Sequence, residues 1–267
     1  MTAVTTSTYR EEERPIRFDG ERRKALAILA TGAGDDLAAA IAASAARSDE
    51  AVLAYAFVDS ARAPDVFDRL GWIELGPAPV LVRPLRLGGL PAVLPFGGRP
   101  RAGVREITVP DPRITRLWDR FSVDVPVAIE RGATNDNGRL FGSGAEGVQV
   151  LVLEDGDRYA IRALCAFRVD GTRATLLEVL HDRSVTGMFA AAHLVGLALR
   201  RSLAAGATEA TAWSLPHSGS YPILARHLVR SAREPGLSLG VQPIVPEVAG
   251  AAAALRSWYL SALDLPP

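Results

Sequence analysis

The chain has 267 residues, 48% of them hydrophobic and 22% charged, and its formal net charge is +0. That length supports one large domain or two small ones, and that composition supports a packed core and excludes a disordered chain. A neutral chain has no global field to hold it on nucleic acid or anionic lipid, and 6% aromatics give no stacking platform for bases. Cys165 is the only cysteine, which excludes a disulfide-stapled domain. Its neighbours Ala163, Leu164, Ala166 and Phe167 mark it as a buried strand residue and not a nucleophile. The charges of Arg10 to Arg14 are not followed by the apolar run of a signal peptide. No stretch reaches the roughly 18 apolar residues of a membrane span. These readings predict a cytoplasmic protein with no nucleic-acid or membrane partner.

In chain order, residues 1 to 15 read as a polar, flexible terminus. A first unit covers 16 to 85. Lys24 to Thr31 predicts a strand that ends in Gly32-Ala33-Gly34, and Asp35 and Asp36 then open a helix. A strand over Val52 to Val58 follows, then a helix capped by Asp59 or Ser60 and stopped at Gly71, then a strand over Val80 to Arg83. Residues 86 to 110, rich in Gly, Pro and Arg, read as a linker that packs down. A second unit covers 111 to 267. It opens with a short helix over Ile114 to Phe121 and a glycine-rich loop over Asn135 to Gly147. Strands over Val148 to Leu153, Tyr159 to Val169 and Ala174 to Leu180 are separated by Asp155-Gly156-Asp157 and Asp170-Gly171 turns. A long helix over Met188 to Ala205 ends at Gly206. A strand over Ala210 to Leu215, a helix over Tyr221 to Ser231, and strands over Leu239 to Ile244 and Trp258 to Leu263 complete the unit.

Both units repeat one order: strand, glycine turn, long helix, strand, short capped helix. The most specific segment is Tyr55 to Leu85, in which a capped helix ends in Phe67, three more residues and Gly71-Trp72, followed by Pro79-Val80-Leu81-Val82-Arg83-Pro84-Leu85. It resembles the acyl-CoA-binding core of the GNAT (GCN5-related N-acetyltransferase) superfamily, in its two-copy form. Trp258 to Asp264 resembles the end of such two-copy chains. The resemblance covers residues 22 to 83 and 111 to 265. It implies an α/β fold of tandem GNAT-like units with mixed β-sheets flanked by helices. It also implies acetyl-CoA or another acyl-CoA as co-substrate and a small-molecule amine or amino sugar as acceptor. The first copy is truncated, since a full copy has three or more strands before the glycine turn. Either that copy has lost its N-terminal sheet or it completes a sheet shared with the second copy or with a partner chain, and an open edge would favour pairing as a homodimer.

CoA carries a pyrophosphate, and a glycine turn opening a helix points backbone N–H groups at such an anion. In the first copy Gly32 and Gly34 occupy that turn, with Leu29 where the family has Arg or Gln and with Asp35 and Asp36 adjacent. In the second copy Arg183, Thr186 and Gly187 stand before the long helix. Either turn could equally be a tight packing turn with a solvated Arg183. The resemblance assigns a carboxylate base to the preceding strand, where Glu178 lies among leucines; burial would raise its pKa toward neutrality. Strand alternation equally allows a solvent-facing Glu178. The family's tyrosine acid has Phe67 in its place in the first copy. In the second, Tyr221 is the nearest tyrosine and Ala225 is closer to the slot. His181, Asp182 and Glu178 lack a second cluster at metal spacing, so no metal is expected. His217 sits in a strand-to-helix loop, and no Gly-x-Ser-x-Gly elbow is present. Two readings follow: an N-acyltransferase working through its second copy, or a degenerate, non-catalytic binding or scaffolding protein with the GNAT fold.

Overall fold

A computed structural model describes residues 9–30, 50–86, 103–131, 140–142, 145–156, 160–230 and 237–264. Gly32, Gly34 and most of the residues expected to form the linker lie outside them. In chain order the elements are β1 (Tyr9–Phe18), β2 (Glu21–Ala30), β3 (Ala51–Asp59), α1 (Ala63–Leu70), β4 (Ile73–Pro77) and β5 (Val80–Pro84). Then come β6 (Val104–Ile107), α2 (Pro112–Phe121), β7 (Val127–Ile129), β8 (Val148–Asp155), β9 (Ala160–Asp170) and β10 (Arg173–His181). The chain continues with α3 (Val185–Ala204), β11 (Glu209–Trp213), α4 (Tyr221–His227), β12 (Val229–Arg230), β13 (Leu237–Pro243) and β14 (Trp258–Tyr259).

The first strand corrects the expectation of a flexible terminus through residue 15. β1 pairs with β2 along its whole length, from Tyr9↔Ala30 to Phe18↔Glu21. Asp19 and Gly20, both at positive φ, make the two-residue turn that right-twisted strands require. The charges that suggested a tail lie on a strand paired with the apolar Ala25 to Leu29, Lys24 is within 3.7 Å of Glu13, and Ile16 and Phe18 anchor the hairpin in the core. The residues expected to form the linker end in a strand, β6, paired with β8. The long helix starts at Val185, three residues earlier than Met188, because the Ser184 hydroxyl caps it by accepting from the Gly187 N–H. The last expected strand shortens to Trp258–Tyr259, followed by a 3₁₀ turn over Ala262–Asp264.

The strands form two mixed seven-stranded sheets, in the orders β14-β7-β1-β2-β3-β13-β4 and β12-β5-β11-β10-β9-β8-β6. The halves exchange strands. β5 comes from the first half but runs antiparallel to β11 and β12 in the second sheet. β13 comes from the second half but runs antiparallel to β3 and β4 in the first sheet. A cut near residue 85 would therefore open both sheets.

Helices α3 and α4 cover one face of the second sheet, over Leu151, Cys165, Phe167, Leu194 and Ile223. Its other face packs against α2 and the C-terminal segment, through Trp118, Phe121, Leu164, Tyr259 and Leu263. Phe121 and Tyr259 meet edge to face with centroids 5.0 Å apart, a favourable quadrupole arrangement. Helix α1 covers one face of the first sheet through Ala63 and Phe67. The opposite face takes Leu215, Leu239, Val241 and Trp258 from the second half.

Gly240 lies on the exchanged β13, directly under the Phe67 ring, and a Cβ there would overlap that ring. Gly240→Ala is expected to lower unfolding free energy by about 1–3 kcal/mol, the usual cost of overpacking. Urea denaturation measures it. A variant as stable as the parent would mean that Phe67 moves aside at no cost.

Candidate functional site

Three adjacent pairs run parallel among the described residues, the short β7–β14 contact and the longer β2–β3 and β10–β11 pairs, and the two longer pairs diverge. β2 and β3 pair from Lys24↔Ala51 to Ile28↔Ala56, while β2 continues to Ala30 and β3 to Asp59. β10 and β11 pair from Arg173↔Glu209 to Leu176↔Ala212, while β10 runs on to His181. A register shift between Leu176 and Glu178 marks a bulge on β10, which bends the strand away from β11. Parallel α/β sheets take ligands beyond the carboxyl ends of their strands, so these wedges are the candidate sites.

The second wedge is filled by the protein's own groups. Glu178 is 1% exposed. Its carboxylate accepts from Arg131 Nε at 2.8 Å, from Ser261 Oγ at 3.0 Å, from the Tyr259 hydroxyl and from the Val179 N–H at 3.0 Å. Arg131 in turn donates to Asp264 at 2.7 Å and to the Ile129 carbonyl at 2.9 Å. Its guanidinium lies 5.5 Å from the Trp118 ring centroid and 5.9 Å from that of Tyr259, within cation–π range. Burial, and then the Glu178 charge, hold the Tyr259 hydroxyl well above its usual range, so it stays a donor. Ser214, Ser218 and Ser220 form a buried hydroxyl cluster with oxygens 2.8 to 3.2 Å apart. The Val179 carbonyl faces the Tyr259 hydroxyl at 3.5 Å. The edge of β10 exposed by the bulge is thus satisfied at Val179 on both its N–H and its C=O.

The turn into α3 is also self-contained. Arg183 sits at φ 61, and its N–H donates to His181 Nδ1 at 3.0 Å. His181 Nε2 must then carry the proton, which it directs to the Gly219 carbonyl 3.2 Å away. The Arg183 side chain turns back to the Phe121 carbonyl, 2.7 Å from Nε, and to Asp124. Asp182 accepts from the Ser184 N–H at 3.1 Å and the Ser184 hydroxyl at 2.5 Å, and pairs with Arg162 at 2.9 Å. A Cβ on Gly187 would overlap the Asp182 carboxylate, so glycine is required there by a close approach of the protein's own anion. The positive end of α3 meets Asp182.

Glu178 lies on β10, and Arg183, Thr186 and Gly187 follow it at the turn into α3 and in its first turn. Tyr221 is apart from them: it packs at the start of α4 against the α3 side of the sheet. His217 Nε2 is 2.9 Å from the Trp258 carbonyl. Burial pushes the Cys165 thiol up, consistent with an inert core residue. Among the described residues no group of His, Cys, Asp and Glu could hold a metal ion, and no helix is long and apolar enough to cross a membrane. Sequence reasoning did not find Arg131, Tyr259, Ser261 or Asp264. The available signal was a lone arginine after the apolar Val127-Ala128-Ile129 and a tyrosine inside the C-terminal motif.

No protein-family model matches the chain, and no curated protein matches it in sequence. Solved structures do match in fold. A GCN5-related N-acetyltransferase from Kribbella flavida superposes with a TM-score of 0.62 at 12% identity, over 93% of this chain and 59% of that one. Saccharomyces cerevisiae N-myristoyltransferase with bound myristoyl-CoA and inhibitors gives a TM-score of 0.61 at 13% identity, over 88% of this chain and 64% of that one. A tandem GNAT protein from the clavulanic acid biosynthesis pathway gives 0.51 at 12% identity, over 84% and 78%. The chain therefore spans less than two thirds of the length of the first two. Its fold is GNAT-like, with two mixed sheets in a tandem arrangement.

Glu178→Gln removes one of the two counter-charges of a buried arginine. Breaking a buried pair from one side costs about 3–5 kcal/mol, so a loss of that size is expected in urea denaturation. The Glu178→Leu/Arg131→Met double variant should recover much of it. A single-variant loss under about 1 kcal/mol would mean that Asp264 alone compensates Arg131. Burial lowers the pKa of His181, and of His227, below the ordinary 6.5. The unfolded chain then binds protons that the folded chain refuses. Stability is full above the unfolded value and falls as pH drops through it, by at most about 1.4 kcal/mol per unit for each histidine. Unfolding midpoints measured between about pH 7.5 and 5.5 should fall, and His181→Asn should flatten the slope. An unchanged slope would assign the effect to other groups.

Proposed function

We propose that the protein is an acyl-CoA-dependent N-acyltransferase that binds its acyl-CoA in the β2–β3 wedge of the first half, while the second half supports it. The fold-level similarity to acyltransferases, one of them with bound myristoyl-CoA, supports the reaction class. The observation that carries the placement is the closure of the second wedge: the β10 edge at Val179 is saturated by Glu178 and Tyr259, and the α3 N-terminus is occupied by Asp182. A CoA thioester needs an open strand edge for its amide-bearing arm and free N–H groups for its pyrophosphate. Gly32 and Gly34, which follow β2 in sequence, are the residues this reading assigns to the latter.

The chemistry forms one bond and breaks one. A neutral amine attacks the thioester carbonyl, the new C–N bond forms, and the C–S bond breaks. The amine loses a proton to a base, and the CoA thiolate takes one up. Glu178 has no lone pair directed outward, so its role in this reading is to hold Arg131 and Tyr259. The base on the first wedge would be a carboxylate or an ordered water. The closed second wedge also favours a second reading, a non-catalytic binding protein, should the first wedge bind no acyl-CoA.

Calorimetry with acetyl-CoA and with myristoyl-CoA separates these readings. The expected result is one equivalent bound at roughly micromolar to millimolar strength, lost in Gly32→Val/Gly34→Val and kept in Arg183→Ala. The reverse pattern would move the site to the second wedge. Absence of binding by either thioester would leave the non-catalytic reading.

A further inference from the structure

His181 ends β10 at a point where three segments meet. It is 4% exposed, and both of its ring nitrogens are engaged. Nδ1 accepts from the Arg183 N–H of its own turn at 3.0 Å, and Nε2 is 3.2 Å from the Gly219 carbonyl, in the segment between β11 and α4. The Phe121 ring at the end of α2 meets the imidazole edge to face, with centroids 5.4 Å apart. Among the described residues, the charged groups that face it are Asp182 and Arg183 of its own turn, of opposite sign. β9 places Ala163 across from it, and Arg162 of the same strand is committed to Asp155 and Asp182. Asp124, just beyond α2, is committed to Arg183.

Arg183 is a non-glycine residue at φ 61, a conformation that persists only where the surroundings over-determine it. Its N–H bond to His181 is one restraint, and its guanidinium, on the Phe121 carbonyl and Asp124, is another. The next residue, Ser184, is the N-cap of α3. An imidazolium carries hydrogen on both ring nitrogens. A proton on Nδ1 would point at the Arg183 N–H and turn a hydrogen bond into a contact between two donors, while the bond from Nε2 to Gly219 survives. We propose that His181 is a pH-operated latch: neutral, it locks the turn between β10 and α3 in its left-handed form; protonated, it releases Arg183 from that form and loosens the first turn of α3. The opening is local, because the β9–β10 ladder does not depend on this bond. Burial lowers the pKa of the closed His181 below the ordinary 6.5, and the opened turn restores that ordinary value. The open form therefore takes up a proton that the closed form refuses, so acid favours opening. Between about pH 7.5 and 5.5 this linkage amounts to at most about tenfold in the opening equilibrium. The latch does not depend on acyl-CoA binding in the first wedge.

Hydrogen–deuterium exchange of the full chain, followed by mass spectrometry at about pH 7.5 and 5.5 and corrected for intrinsic exchange, reads the opening directly. Peptides covering residues 182–188 should lose protection severalfold at the lower pH relative to peptides of β9. His181→Asn keeps an oxygen acceptor near the Nδ1 position and does not titrate, so the same peptides should keep one protection at both pH values. His227→Asn removes the other histidine whose pKa burial lowers, and it should show the parent's loss. That variant decides the matter if His181→Asn does not fold. The proposal is overturned if residues 182–188 lose no more protection than β9, if the loss persists in folded His181→Asn, or if it disappears in His227→Asn.

Discussion

β5 hydrogen-bonds to β11 and β12, and β13 to β3 and β4, so each sheet contains a strand from the other half. Removing either half would leave the remaining sheet with a gap flanked by two unpaired edges, the arrangement that folded proteins avoid most consistently. The exchange also fixes the faces. Once β13 lies between β3 and β4, Leu239 and Val241 must enter the core shared with Leu53 and Tyr55, and Gly240 must pass beneath Phe67 on the other side. A one-residue slip of β13 would reverse these assignments. The two halves are in this sense a single folding unit, although the sequence repeats its element order.

A second tie runs across the seam in side chains. Arg131 follows β7 of the first sheet, Glu178 belongs to β10 of the second, and Tyr259, Ser261 and Asp264 come from the C-terminal segment. Burying such charges is not stabilising in itself, because desolvation offsets most of the Coulomb attraction. What makes the cluster tolerable is that the Glu178 carboxylate is fully engaged and that Trp118 and Tyr259 flank the guanidinium. Such a network has few alternative arrangements. It selects one relative position of the sheets, where an apolar seam of the same area would tolerate several.

Much of this was legible locally. The strands β3, β5 and β11 follow from apolar runs, β8 to β10 from apolar runs separated by Asp-Gly turns, and α1 to α3 from their periodicity and end signals. The leucines around Glu178 left a buried and a solvent-facing side chain both open, and the structure buries it. Its partners could not be read, because they lie 47, 81 and 83 residues away in sequence. β1 was hidden for a different reason: Arg10 to Arg14 have the composition of a tail, and only pairing with β2 turns this charged run into a strand. The exchange of β5 and β13 leaves no local trace, since a strand's own pattern says that it pairs and which face is buried, never in which sheet.

The two wedges explain why repetition of an element order did not preserve equivalence of the sites. The second half retains the shape of a ligand site: a bulged strand, a diverging neighbour and a capped long helix. Its own side chains fill that space. Asp182 stands at the helix N-terminus, close enough that only glycine fits at 187, and any external anion placed there would meet a like charge at contact distance. Tyr259 and Glu178 occupy the strand edge. A ligand could enter only by displacing charges that also hold the seam, at a cost of several kcal/mol. The contacts that close this wedge are the same ones that place Trp258 and Leu260 in the core of the first sheet.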